Sequence, residues 1–283
     1  MAKAKKAKKP KKTVVKVTAK TVLPFDKYKF YHDAVQSPDA DVEFYEKAFK
    51  EIHKNKKLVT LREDFCAAGA ISCEWVKLNK NYRSCGLDLD PEPMAYGREH
   101  YFPKLTKEQQ GRAVLIQKNV LEKNLPVADM VAAVNFSYCL FKKRNELKSY
   151  FQSVYNSLNA PGLFIVDIFG GSQCGDAIED RHKFKEFTYY WDQKGFDPVS
   201  AEGLFQIHFR YKGTKYENVF TYDWRMWSIP ELKELMLEVG FDDIKVYWEG
   251  TNNKGGGSGI FKQVEKGEPC LSWIAYVVGV KNK

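Results

Sequence analysis

Apolar and polar positions along this chain follow two spacings in turn, and the order in which they occur predicts its elements. From residue 26 to 54 apolar and aromatic residues recur at helical spacing. Ser37-Pro38-Asp39-Ala40-Asp41 interrupts them and opens a second helix presenting Val42, Phe44, Tyr45, Ala48, Phe49 and Ile52. Short, nearly continuous apolar runs then alternate with helical patterns. Residues 58–62, 83–89, 113–117, 129–135 and 163–168 read as strands, and 67–78, 91–100 and 144–158 as helices between them. Pro91 and Pro93 fall in a first helical turn, where a missing N–H costs nothing. Strands apolar on both faces and separated by helices imply a parallel sheet covered on both sides.

After Gly170-Gly171 the spacing changes to two. Phe205, Ile207, Phe209 and Tyr211, a turn at Lys212-Gly213-Thr214, and Tyr216, Phe220, Tyr222 and Trp224 predict a β-hairpin, joined by a strand near 187–191. The helical pattern resumes at Ser228-Ile229-Pro230-Glu231, an N-cap with Glu three residues on, and ends at Gly240. Strands at 243–248 and 272–280, antiparallel across a glycine-rich loop at 255–259, complete the chain. The expected divisions are an unstructured lysine-rich arm at 1–20, a helical segment at 21–57 and one α/β domain at 58–283. Within that domain an antiparallel insertion occupies about 183–227, after the fifth strand.

Composition narrows the class. With 283 residues, 44% of them hydrophobic, the chain can bury a large core, which excludes a wholly disordered class. Its longest apolar stretch, around 163–169, is far below the roughly 18 residues of a bilayer span, so no membrane crossing is expected. The net charge of +9 is local, because nine lysines and no acid lie in the first twenty residues. Removing them leaves 45 − 9 = 36 basic residues against 36 acidic ones. The arm lacks an apolar stretch after its charges and so is no secretory signal. It reads either as a weak attachment to nucleic acid or another polyanion, or as a solubilising tail. Six cysteines without a close pair, and five histidines apart from them, indicate neither metal site nor disulfide framework, but reduced thiols in a cytoplasmic protein.

In a doubly wound sheet, ligands bind beyond the carboxyl ends of the strands where their order reverses. Here that region reads Arg62-Glu63-Asp64-Phe65-Cys66-Ala67-Ala68-Gly69-Ala70 after the first strand and Gly86-Leu87-Asp88-Leu89-Asp90 after the second. Only Gly69 remains of a glycine-rich turn, too little for a dinucleotide pyrophosphate, and no Gly-x-x-x-x-Gly-Lys-Ser/Thr follows any strand. A carboxylate at Asp88 stands where it could accept from both hydroxyls of a ribose.

These residues resemble the nucleotide-binding loop of class I S-adenosylmethionine-dependent methyltransferases, an acid, a variable residue, then Gly-x-Gly-x-Gly. The resemblance implies a Rossmann-like, doubly wound, mostly parallel seven-stranded sheet, with S-adenosylmethionine as cofactor and S-adenosylhomocysteine as its product. It places Glu63 at the acidic position, Cys66, Ala67 and Gly69 in the loop, and Asp88 and Leu89 at the ribose. Phe65 and Ala67 depart from the glycines. Asn119 and Val120 match the adenine-reading positions, Asn135 and Phe136 border the methyl donor, and Arg62 either pairs with the donor's carboxylate or with Glu63 or Asp64.

The insertion looks like the antiparallel lid of small-molecule N-methyltransferases of the glycine and amino-sugar types, and Tyr28-Lys29-Phe30-Tyr31-His32 is similar to the tyrosine-bearing stretch that closes over their donor. The implied acceptor is a small molecule methylated on N or O. Tyr31 and His208 are the catalytic candidates, His208 as a base or as a hydrogen-bonded histidine of the lid. The alternatives are an RNA or protein methyltransferase recruited by the arm, and a donor-binding protein without chemistry. Against nucleic acid stand the balanced charge of the folded part and the run Asn135-Phe136-Ser137-Tyr138, which lacks the prolines of base amino-methyltransferases.

Overall fold

The computed structural model describes residues 13–54, 56–253 and 255–283. In chain order its elements are β1 (Thr13–Lys16), α1 (Lys27–Val35), α2 (Pro38–His53), β2 (Thr60–Asp64), α3 (Ala70–Leu78), β3 (Arg83–Asp88), α4 (Pro91–His100), α5 (Lys107–Gln110), β4 (Ala113–Gln117) and β5 (Ala128–Ala133). They continue with α6 (Arg144–Asn156), β6 (Leu158–Gly170), β7 (Glu179–Lys183), β8 (Phe187–Asp197), β9 (Glu202–Tyr211), β10 (Thr214–Arg225), α7 (Ile229–Val239), β11 (Asp243–Thr251), β12 (Gly257–Gln263) and β13 (Trp273–Lys281). Among the described residues no helix is long and apolar enough to cross a membrane.

The main sheet has the order β12-β11-β13-β6-β5-β2-β3-β4. Strands β6, β5, β2, β3 and β4 are mutually parallel, and β13, β11 and β12 add on antiparallel. Alternation across the pleat explains the unbroken apolar runs. Met130, Ala132, Leu163, Ile165 and Val278 pack with Val42, Tyr45, Phe49, Trp75 and Val76 of α2 and α3. Their neighbours Val131, Ala133, Phe164, Val166 and Val277 pack with Tyr150, Phe151, Leu232, Leu235 and Met236 of α6 and α7. Each buried Val, Leu, Ile, Phe or Met side chain among them contributes about 1.5–3 kcal/mol by leaving water. The chain runs from β2 outward to β3 and β4, then returns to β5 on the other flank of β2. A crevice therefore opens beyond the carboxyl ends of β2 and β5.

The sheet has eight strands rather than the expected seven, because residues 257–263, in part read as a glycine loop, pair with β11. Phe261 supplies the reason: its ring lies 5.6 Å from Phe44 and 4.6 Å from Tyr276, and this packing overrides the weak strand preference of the glycines.

The insertion forms a second sheet, β1-β10-β9-β8-β7, which begins at Glu179 rather than near 183. Its β1 also corrects the boundary of the arm. Thr13–Lys16 runs parallel to β10, with Thr13 opposite Thr214 and Lys16 opposite Glu217. The β-branched Val14, Val15 and Val17 outweigh the lysines here, and the open edge of β10 supplies hydrogen-bond partners. The remainder of the expected arm, residues 1–12, lies outside the described residues.

Candidate functional site

The loop after β2 is held in an unusual backbone state. Phe65, Ala67 and Gly69 all have positive φ, at 59°, 45° and 70°. These are the three positions where the resembled pattern carries glycine, so the loop keeps a glycine-like path with two residues that resist it. A left-handed non-glycine residue costs about 1–2 kcal/mol. Nearby contacts compensate: the Phe65 ring sits 5.4 Å from Tyr150 and 6.1 Å from Phe141, and the Ala67 N–H donates to Asp88 Oδ2 at 2.7 Å. At Gly69 itself a Cβ would lie 2.5 Å from Leu115 Cδ2, so a side chain there would have to displace Leu115 as well as adopt the left-handed φ.

Asp88 ends β3 facing that loop. Its Oδ2 takes the Ala67 N–H and its Oδ1 the Asp90 N–H at 2.9 Å, which leaves further lone pairs on both oxygens. Leu89 beside it is exposed at the rim. Asn119 Oδ1 accepts the Leu121 N–H at 2.9 Å, so its own turn fixes the side chain and one further acceptor site remains. Val120 is buried in the core, and its carbonyl accepts from Ser153 Oγ at 3.0 Å.

Three residues named with the cofactor turn their side chains into the core, and for Arg62 this is the second of its two readings, the pairing with Asp64. Arg62 is fully buried beneath the loop, where Nε and Nη2 bond both oxygens of Asp64 at 2.8 and 3.1 Å and Nη1 bonds Ser157 Oγ and the Pro126 carbonyl. Residues two apart on a strand share a face, so Arg62 and Asp64 both turn toward α6, away from the crevice. Glu63 is buried on the other face and accepts the Ser72 N–H at 2.8 Å in the first turn of α3. Burial pushes its carboxyl up to about 7, with the Asp41 and Asp88 charges adding to the effect. The Cys66 side chain packs with Met94 and Leu115, and burial raises its thiol well above the ordinary value. The loop reaches the crevice through its backbone, not through these side chains.

A cavity of about 690 Å³ is walled by α2, the ends of β5 and β6, the lid, and the β12–β13 region. Asn135 and Phe136 line it after β5, both with φ 57°. Their N–H groups donate to Asp167 Oδ2 and Oδ1 at 2.7 and 2.9 Å. Asp167 is buried in β6, and burial drives its carboxyl up to about 7 despite those amides, with Asp41 contributing. The list of sequence candidates omits Asp167, although a lone acid inside the apolar run 163–169 is a readable signal. It also omits Asp41 and Glu249, which line the same cavity. Their companions in the wall lie far apart in sequence, and only the fold assembles them.

Tyr31 stands where the helical segment meets the lid, its ring 5.1 Å from Phe220. Burial pushes its hydroxyl up to about 12. Tyr189, which lines the cavity, and Asp167 both act on it electrostatically or are acted on by it. Helix α1 is anchored across the crevice by Tyr96 Oη donating to Asp26 at 2.7 Å and by Lys27 pairing with Glu92 at 2.7 Å. The sequence candidate Tyr31 is not in the wall of the cavity that Asn135 and Phe136 line.

Nor is His208. It occupies the opposite face of β9 from Phe205, Ile207 and Phe209, fully buried against the outer residues of the lid. Its Nδ1 accepts the Asn218 N–H at 2.9 Å, so the ring proton resides on Nε2 and is donated to Asp192 at 2.8 Å. Neither nitrogen is available for acid–base work in the cavity, which corrects its reading as a base. Glu179, Asp192 and His208 are the one group among the described residues whose ligand atoms lie within 4.8 Å of one another. Protonated Nε2 has no lone pair for a metal, and Lys215 and Lys194 pair with the two carboxylates.

No protein-family model matches the sequence, and no curated protein sequence matches it. Solved structures do. An S-adenosylmethionine-dependent methyltransferase from Clostridium acetobutylicum ATCC 824 superposes with a TM-score of 0.65 at 18% identity, covering 90% of this chain and 97% of that one. The chain has the class I methyltransferase fold. A sugar N-methyltransferase from Streptoalloteichus sp ATCC 53650 matches over 100% of this chain and 99% of its own, with a TM-score of 0.61 at 14% identity. An amino pentose methyltransferase from Micromonospora echinaspora gives 0.60 at 12% identity over 90% and 98%.

Proposed function

We propose that the protein is an S-adenosylmethionine-dependent methyltransferase that transfers a methyl group to a nitrogen or oxygen atom of a small-molecule acceptor. The observation that carries this reading is the loop at Phe65, Ala67 and Gly69, which keeps three left-handed residues in sequence despite their cost and aims the Ala67 amide at Asp88. When bound, the donor supplies a methyl group already activated by its positive sulfur.

The residues fit such a group. The spare lone pairs of Asp88 suit two ribose hydroxyls, and Leu89, Asn119 and Val120 are assigned to the adenine position. Asn135 and Phe136, pinned by Asp167, border the reactive end. Tyr189 of the lid lines the cavity, where a ring excludes water and favours positive charge. The lidded cavity of about 690 Å³ lies in the range of small-molecule sites, and neighbours named as sugar and amino pentose methyltransferases support an acceptor of that size.

Isothermal titration with S-adenosylhomocysteine tests the reading. Wild-type chain should bind it, and Asp88→Ala should bind at least tenfold more weakly, the effect of losing charge-assisted hydrogen bonds worth about 1.5–3 kcal/mol. Absence of heat with both S-adenosylmethionine and S-adenosylhomocysteine would overturn it.

A further inference from the structure

A smaller chamber adjoins the large cavity. Its volume is about 180 Å³, and Phe136 and Ile274 belong to the walls of both. One strand of the lid runs along the two. Tyr189, Trp191 and Gln193 alternate onto the same face of β8, Tyr189 lining the large cavity and the other two the chamber. The rings of Phe136 and Phe169, 4.7 Å apart, and the Trp191 indole, stacked 5.4 Å from Phe205, supply much of its apolar surface.

Gln193 is only 7% exposed, and its side chain is fixed. Nε2 donates to the Gln173 carbonyl at 3.2 Å and to the Asp176 carbonyl at 3.0 Å. Both partners are acceptors, so the nitrogen and oxygen of this amide cannot be exchanged. The remaining atom, Oε1, accepts from no described side chain or amide, although such an oxygen has two lone pairs. The wall of the chamber therefore holds a rigid acceptor that a ligand can complete.

Asp180 gives the chamber its charge. It stands opposite Trp191 in the β7–β8 register, so both point to one face, and no described cation pairs with it. The other polar side chains of the wall, Gln173, Cys174 and Ser272, are neutral, burial pushing the Cys174 thiol up to about 11. No lysine, arginine or histidine is among the lining residues.

We propose that this chamber seats an ammonium-bearing end of the acceptor, with Gln193 Oε1 and Asp180 as its hydrogen-bond acceptors and Trp191 as the ring beside its charge. An ammonium carries donors only, which matches an acid and an open amide oxygen in a wall without cations. Aromatic rings favour such a charge. The volume is near the roughly 150 Å³ that holds a benzene in an apolar core, so the seated end is about one six-membered ring in size. The assignment rests on the methyl-transfer reading only for calling the occupant an acceptor.

Ligand-observed NMR titrations of the full chain with benzylammonium and with neutral benzyl alcohol test it. Wild type should bind both, the amine at least threefold more tightly. Asp180→Asn should weaken the amine at least threefold and leave the alcohol within twofold. Gln193→Met should weaken both at least threefold, because either can donate to Oε1. Melting curves check folding, and Asp180, exposed on an edge strand, keeps the test open should Gln193→Met unfold.

Equal binding of amine and alcohol to wild type, or binding of neither, would overturn the assignment. So would a folded Gln193→Met that binds both as wild type does. If Asp41→Asn, in the wall of the large cavity, costs the amine more than Asp180→Asn does, the amine sits there and the chamber is not its site. Failure of wild type to bind S-adenosylhomocysteine sinks the proposed function alone, because the amine titration runs without it.

Discussion

At the scale of single residues, the loop separates what sequence spacing reveals from what it hides. Glu63 through Gly69 is recognisable from an acid and one glycine at the right separation, but the spacing cannot say that Phe65 and Ala67 adopt glycine's conformation. That follows from Phe65 packing on Tyr150 and Ala67 bonding to Asp88, contacts with residues 85 and 21 positions away in the chain. Ala67→Gly should therefore stabilise the protein, because relief of about 1–2 kcal/mol of left-handed strain exceeds the roughly 0.4–1 kcal/mol gained by a freer unfolded chain. A rise in the denaturant midpoint at unchanged slope would show it; a fall would mean the loop is not strained. Arg62 gives the converse test. Arg62→Ala leaves Asp64 buried without its cation, so about 3–5 kcal/mol of stability should be lost. A variant that folds as well as wild type and merely binds donor poorly would restore Arg62 to the crevice.

At the scale of elements, period and caps were legible wherever local chemistry decides. The helix after Ser228 has its capping box and ends at Gly240, with φ 114°, as the spacing predicts. Strand alternation in β9 also places His208 opposite Phe205 and Phe209, but not which face meets the main domain, and this decides its role. His208→Gln should accordingly leave kcat within about threefold of wild type once folded, whereas loss of a general base costs on the order of 10²–10⁴. Elements that depend on distant partners were not legible. β12 needs Phe44 and Tyr276 to hold Phe261, and β1 needs the open edge of β10. The pairing of β1 predicts a difference between two truncations. Removing residues 1–12 should leave the melting temperature within a degree or so, while removing 1–20 uncovers the edge of the lid and should lower it by several degrees. Equal melting curves would mean that β1 contributes nothing to the lid.

At the scale of the whole molecule, the buried acids reverse the usual dependence of stability on pH. Asp41, Glu63 and Asp167 rise from 3.8, 4.5 and 3.8 to about 6, 7 and 7, chiefly through burial. A carboxyl that holds its proton more tightly folded than unfolded gives the folded chain more bound protons between the two values, so stability falls as pH rises through that window, here about 4 to 7. Carboxyls held low by cations and hydrogen bonds, such as Asp192, which pairs with Lys194 and accepts from His208, titrate below this window and leave it unaffected. His53, lowered by burial, works in the opposite direction but is a single half-exposed group. The ligand-free protein should therefore melt at a higher temperature at pH 5.5 than at pH 7.5. Asp41 acts on both of the other acids, so Asp41→Asn should raise the melting temperature at pH 7.5 and flatten the pH dependence together. If the wild-type melting temperature climbs from pH 5.5 to 7.5, or Asp41→Asn leaves its slope untouched, the three carboxyls do not act as one electrostatic unit.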